Sequence, residues 1–260
     1  MRGFFNSVLS ACVLLVALAI ISGCGSSSGS SGTRQLNVTV SGLGQLQPGF
    51  NYSAWIQTPT FTNFLTSFTP NADGTANFIQ FASQGNVTNG DRVFITIEQA
   101  SSPLVPSQTI ILDGTIQGNT EILRFPGQQN FTFAQGTILA PQGNQIITQF
   151  TGLPDISVNN FIYQGFLQVG NTFTPLNSFD STQTTITDNV PFNVGSALYR
   201  LTIRPRVGSD PNVPFNNFKP FFTITVVPVG TALPVKLNRS DLTPGSPNFF
   251  FPTGTVTLPQ

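Results

Sequence analysis

Few side chains in this 260-residue sequence could do chemistry. There is no histidine, and there are two cysteines (Cys12 and Cys24), two lysines, three tyrosines and ten carboxylates. Lack of imidazole removes the commonest general base and the commonest metal ligand together. A carboxylate pair remains for acid–base work, and the pair to consider is Glu98 with Asp91 or Asp113. Glycosidases hold such a pair roughly 5 to 10 Å apart in a cleft. Glu98 ends a strand-like run, and pairing with Arg92 or Arg124, or plain exposure to water, is the simpler expectation. Two oxygen-rich stretches, PNADGTA at 70–76 and VGSDPNVPFNN at 207–217, carry one carboxylate each, Asp73 and Asp210. Calcium takes roughly six to eight oxygens, so both read as structural turns. No catalytic residue, metal or cofactor is expected.

The thiol of Cys24 has the most distinctive setting. Val8 to Ile21 is a nearly unbroken apolar run, and Arg2 is the only charge before it. The run falls short of the roughly 20 residues that a membrane-crossing helix needs. It suits the middle of an export signal. Ile21-Ser22-Gly23-Cys24 then resembles the lipobox of bacterial lipoproteins: an apolar residue, two small ones and Cys. That resemblance implies a diacylglyceryl group on the Cys24 sulfur, removal of residues 1–23, and acylation of the new amine. The Gly/Ser-rich stretch 24–35 then reads as a flexible tether. Two or three acyl chains anchor firmly where one is marginal. Cys12 leaves with the signal, so no disulfide is available and burial alone must hold the fold. The expected location is the cell envelope, lipid-anchored at the membrane through acylated Cys24. In a host with two membranes the outer one is expected, because Gly25 is not the Asp that retains lipoproteins at the inner one.

Only 8% of residues are charged, far below the usual quarter, yet Phe occurs 25 times. Such a chain can bury a core and must dress its surface in Asn, Gln, Thr and Ser. The net charge is zero and no Lys/Arg run occurs. Nucleic-acid binding through phosphate neutralisation is therefore not expected.

These residues must be positioned by a duplicated unit. NFTFAQGTILAPQ (130–142) and NFFFPTGTVTLPQ (248–260) agree at seven of thirteen positions, among them Phe133/Phe251 and Gly136/Gly254. Working backwards, Gly42-Leu43 matches Gly152-Leu153, and Tyr52 and Trp55 match Tyr163 and Phe166. Phe68 matches Phe179, and VFITIE from Val93 matches YRLTIR from Tyr199. The order is kept, which gives one repeat over 36–142 and a second over 146–260, meeting near Asn144. A period this long means duplicated domains, not a solenoid. Leu36, Val38 and Val40 alternate with polar neighbours, as do Val93, Ile95 and Ile97, which reads as half-buried strand. Pro48-Gly49, Asp73-Gly74, Asn89-Gly90 and Asp113-Gly114 supply turns between such runs. The expected fold is all-β: two tandem immunoglobulin-like antiparallel β-sandwich domains, with Trp55 and Phe166 at their centres.

VSGLGQLQPGFNYSAWI, SFTPNADGTANF and VTNGDRVFITIEQASSPLVPSQTIILDG together resemble the extracytoplasmic domain of anti-sigma-K factors. The shared features fall on Gly42-Leu43, Pro48-Gly49, Tyr52, Trp55, Asp73-Gly74, Glu98 and Pro106. The match covers under a third of the chain. The sigma-binding segment of those proteins has no counterpart here, so the resemblance implies an exported β-sandwich and no sigma-factor binding.

The expected function is a non-catalytic, lipid-anchored envelope protein acting as an interaction or structural module, with an envelope protein as its partner. In NFFFPTG three consecutive aromatics cannot all point inward from one strand. Phe250 is therefore a candidate contact, or lies under a neighbouring domain or loop. The alternative is a small-molecule or glycan binder, which would need Tyr163 or Tyr52 accessible for stacking.

Overall fold

The computed structural model describes residues 35–81, 87–99, 104–195, 197–215, 221–225, 234–239 and 251–258. Cys24, the signal, the tether up to residue 34 and Phe250 lie outside the described residues.

The fold is all-β. The first repeat supplies β1 (Gln35–Ser41), β2 (Phe50–Gln57), β3 (Thr62–Phe68), β4 (Ala76–Phe81), β5 (Arg92–Gln99), β6 (Ile110–Thr115), β7 (Thr120–Arg124) and β8 (Gln135–Gln142). The second supplies β9 (Gln145–Thr151), β10 (Phe161–Val169), β11 (Thr172–Phe179), β12 (Thr185–Asn189), β13 (Leu198–Pro205), β14 (Phe222–Thr225), β15 (Val235–Lys236), β16 (Asn238–Arg239) and β17 (Thr253–Thr257). Strand β1 shows why these runs are strands: Leu36, Val38 and Val40 are buried while Thr39 and Ser41 face out. That is the two-residue period of a sheet covered on one face.

The first sheet runs β3-β2-β5-β6-β7-β17-β1-β4. The second repeat builds the same order in two pieces, β11-β10-β13-β14-β16 and β15-β8-β9-β12, with only Leu237 between β15 and β16. The sister strands even share their registers. Tyr52 pairs with Phe68 and Ile97, and Tyr163 with Phe179 and Ile203. A bulge interrupts β2–β3 just before Trp55 and β10–β11 just before Phe166.

The last strands have changed places. β8, which ends the first repeat, pairs with β9 and β15 of the second. β17, which ends the second repeat, pairs with β1 and β7 of the first. The eight-stranded sheet is therefore built from residues 35–124 plus β17, and the five- and four-stranded sheets from strands between 135 and 239. The last strands thus cross between the stretches expected at 36–142 and 146–260, and Thr33–Gln260 forms one compact unit. The cause is local. Gln142 pairs with Gln145 across Gly143 and Asn144, and Gly143 has φ +59°. A two-residue turn of this kind forces its flanking strands to be neighbours. β8 must stay beside β9 and cannot reach β1.

Both exchanged strands carry glycine at the same place. Gly136 lies between Phe150 and Leu237, where a Cβ would come within 2.7–2.9 Å of their side chains. Gly254 lies opposite Val40 and Leu123, with less severe crowding at 3.1–3.3 Å. The repeated glycine is thus a packing requirement. Aromatic side chains run through the join: Phe125 contacts Phe161 and Phe251, and Phe131 contacts Phe251, Phe221 and Tyr163, at centroid distances of 4.8–6.4 Å.

Candidate functional site on the outer face of the first sheet

Adjacent residues of a strand face opposite ways, so β2 and β5 present two rows each. Tyr52, Ala54, Ile56, Val93, Ile95 and Ile97 form the inward row and belong to the continuous apolar core. Trp55, Phe94, Thr96 and Glu98 belong to the other row. Trp55 is buried, at 1% exposure, but it lies outside the core cluster, and so does buried Phe166. This corrects the expected centre: the rings inside the sandwiches are Tyr52 and Tyr163. Each closes the same contact, because Tyr52 Oη donates to Gly44 O and Tyr163 Oη to Pro154 O, both at 2.8 Å. Burial raises the pKa of both phenols well above the ordinary value.

Tyr163 is therefore no surface contact. It is wholly buried, as is Tyr52, so neither ring can stack on a glycan. The sequence shows a tyrosine, but not that its strand parity turns the ring into the core.

The outer row makes a polar and aromatic strip. Trp55 stands edge-on to Phe64 at 5.4 Å and stacks with Phe94 at 6.4 Å. Phe64 is 43% exposed. The Arg92 guanidinium lies 4.6 Å from the Phe94 ring centroid and makes a two-pronged contact with Asp113, at 2.7 and 2.8 Å. Its third contact is Gln57 Oε1, at 3.1 Å. At the other end Trp55 Nε1 donates to Thr96 Oγ1 at 2.8 Å, and Thr96 donates onward to Glu98 Oε1 at 2.5 Å. The backbone N–H of Ser107 completes the Glu98 site at 2.7 Å. Glu98 thus meets neither Arg92 nor Arg124, which its charge alone suggested.

This arrangement separates the carboxylates. Phe94 is the cross-strand partner of Asp113, and Glu98 lies four residues further along β5. At about 3.3 Å per residue that is roughly 13 Å, too far for a glycosidase pair. Asp91 lies further still, with Oδ2 accepting from the Thr88 backbone N–H at 2.7 Å.

The other acids also serve the fold. Asp73, Asp155 and Asp180 each accept from the hydroxyl and the backbone N–H of the residue two places on: Thr75, Ser157 and Thr182. Those hydroxyl bonds hold all three carboxyls below their ordinary pKa. Asp210 accepts from the backbone N–H and the side-chain amide of Asn212. The two oxygen-rich stretches hold turns, as their composition implied. Among the described residues no three His, Cys, Asp or Glu side chains gather as a metal site.

The sister position of Glu98 is Arg204, and its surroundings explain the change of sign. Phe166 has no ring N–H to donate to Thr202, and Thr202 Oγ1 donates instead to Gln164 O at 3.2 Å. Arg204 then takes neutral acceptors: Gln164 Oε1, with Ser178 at 3.2 Å and Ser209 at 3.4 Å. Trp goes with Glu, and Phe goes with Arg.

A second outer face lies on β4-β1-β17-β7. The paired registers bring Asn77, Thr39, Thr255 and Ile122 into one row, and Ile79, Asn37, Thr257 and Thr120 into the next. An open depression of about 510 Å³ lies over the β1–β4 part of this face. The partly open apolar space lined by Phe125, Phe161, Phe215 and Phe251 is about 20 Å³. That holds at most one water.

No family model matches this chain, and none of the curated proteins compared with it matches. Among the described residues no helix is long and apolar enough to cross a membrane.

Proposed function

We propose that this chain is a non-catalytic, lipid-anchored cell-envelope protein whose folded part is an interaction or structural module. The observation that carries the reading is the use made of its acids. Asp73, Asp91, Glu98, Asp113, Asp155, Asp180 and Asp210 each hold a turn, a strand or an arginine in place. Acid–base chemistry needs a carboxylate free to exchange its proton with substrate, and the chain has no histidine to stand in. The anchor rests on the lipobox at Ile21–Cys24 and the Gly/Ser tether behind it. Exposed aromatic surface supports the choice of a protein partner. Phe133 is 80% exposed while its sister Phe251 is 4% exposed.

In-cell photo-crosslinking from the exposed neighbouring position 135, followed by pull-down, tests the module. One envelope protein captured from the wild-type surface and lost with Phe133→Ser is the expected result. Absence of a protein partner, together with saturable binding to purified cell-wall or surface glycan, would replace the module with a glycan-binding lipoprotein.

A further inference from the structure

We propose that two copies of this chain associate by exchanging β17, each copy's C-terminal strand closing the β1–β7 slot of the other. The inference does not depend on the lipid anchor or on the function proposed above.

Three observations carry it. First, the first sheet is incomplete without a strand from beyond the second. β17 pairs along its whole length with β1 on one side and β7 on the other. Without it, both would expose unpaired backbone groups in mid-sheet, a template for another strand. Second, no strand of the first repeat can fill the gap, because the Gly143-Asn144 turn holds β8 against β9. Third, the slots already accept strands from elsewhere. β8 leaves its own repeat to sit between β9 and β15, in the place β17 takes between β1 and β7.

Covalent connection is what makes β17 of the same copy the default occupant. Arg239 and Thr253 are joined through residues 240–252, which at about 3.5 Å per residue reach at most roughly 50 Å. A donor from a second copy makes identical side-chain and backbone contacts, so the two forms differ only in the entropy of bringing partners together. That difference falls as local concentration rises. Reciprocal donation fills both slots and closes the assembly as a two-fold dimer.

The side chains of Ser41 and Thr253 face each other across β1 and β17, with Oγ and Oγ1 3.1 Å apart. Cysteines there meet the separation a disulfide needs. The test uses full-length chains in detergent, with Cys12 and Cys24 replaced by Ser. One copy carries Ser41→Cys, the other carries Thr253→Cys, and the two are co-expressed and oxidised. The expected result is a disulfide-linked heterodimer, identified by the joined peptides, whose yield rises with expression level. A chain carrying both substitutions reports pairing within one copy. Monomers from the mixture, with an internal disulfide in the double variant, overturn exchange between copies. No disulfide in either case overturns it as well, because the β1–β17 pairing itself is then denied.

Discussion

Trp55 donates its indole N–H to Thr96 Oγ1 at 2.8 Å, and Thr96 donates its hydroxyl to Glu98 Oε1 at 2.5 Å. The relay lies on the outer face of the sheet, under no part of the main apolar core. It makes the only tryptophan of the chain depend on a carboxylate two residues beyond its partner. Removing Glu98 leaves Thr96 and the Ser107 N–H without their acceptor. Glu98→Ala should therefore cost about 1–3 kcal/mol, and Trp55→Ala about 3–5 kcal/mol. The double variant should lose less than the sum, because the residues share one network. Denaturant unfolding followed by circular dichroism measures all three. Strict additivity would show that the relay does not form.

Trp55 also reports on the exchanged strand. It belongs to the first repeat, yet the sheet holding it is completed by residues 253–257. A chain ending at Arg239 should lose the cooperative fluorescence transition of Trp55 or shift it to lower denaturant. An unchanged transition would place β17 elsewhere.

The repeated glycines should tolerate substitution unequally. A Cβ on Gly136 collides with Leu237 and Phe150 at 2.7–2.9 Å, whereas on Gly254 the nearest atom is at 3.1 Å. Gly136→Ala should destabilise by about 1–3 kcal/mol, and Gly254→Ala by less. Thermal melts of the two variants give the ranking directly, and the reverse order would contradict the packing around β8.

Asp188 introduces a pH dependence of a known sign. Its side chain is buried, it accepts from the Asn177 N–H at 2.7 Å, and desolvation raises its pKa. A folded-state pKa above the unfolded value favours the protonated acid in the native state. The cost of ionising it is absent below the unfolded value of about 3.9. It develops as pH rises through the folded one. Asp188→Asn should match wild type near pH 3 and exceed it in stability at pH 7. Equal stability of the two proteins at pH 7 would mean that Asp188 carries no desolvation cost.

Much of the architecture was legible in residue order. Alternation placed β1 and β5, glycine pairs placed the turns at 49, 74 and 90, and shared motifs aligned Tyr52 with Tyr163 and Thr96 with Thr202. The paired registers keep that alignment at Tyr52 and Tyr163. What alternation could not decide is which face of a strand meets the core. β5 is buried from Val93 to Glu98 on both faces, so the tryptophan and the tyrosine of β2 were equally eligible for the centre. Glu98 was misplaced for a related reason. Its partners are a hydroxyl and a backbone N–H, and neither is visible as charge.

The chain by itself determined that it is all-β, that it is built twice, and that each copy ends in a strand with a glycine at its packing point. It also set the Gly143-Asn144 turn. Only the tertiary structure decided which sheet each final strand enters. β8 and β17 carry the same Gly-Thr step at their packing point, and that shared pattern does not by itself assign either strand to a sheet. The choice falls to chain connectivity. Two residues of turn bind β8 to β9, and the slot this leaves in the first sheet is closed by β17.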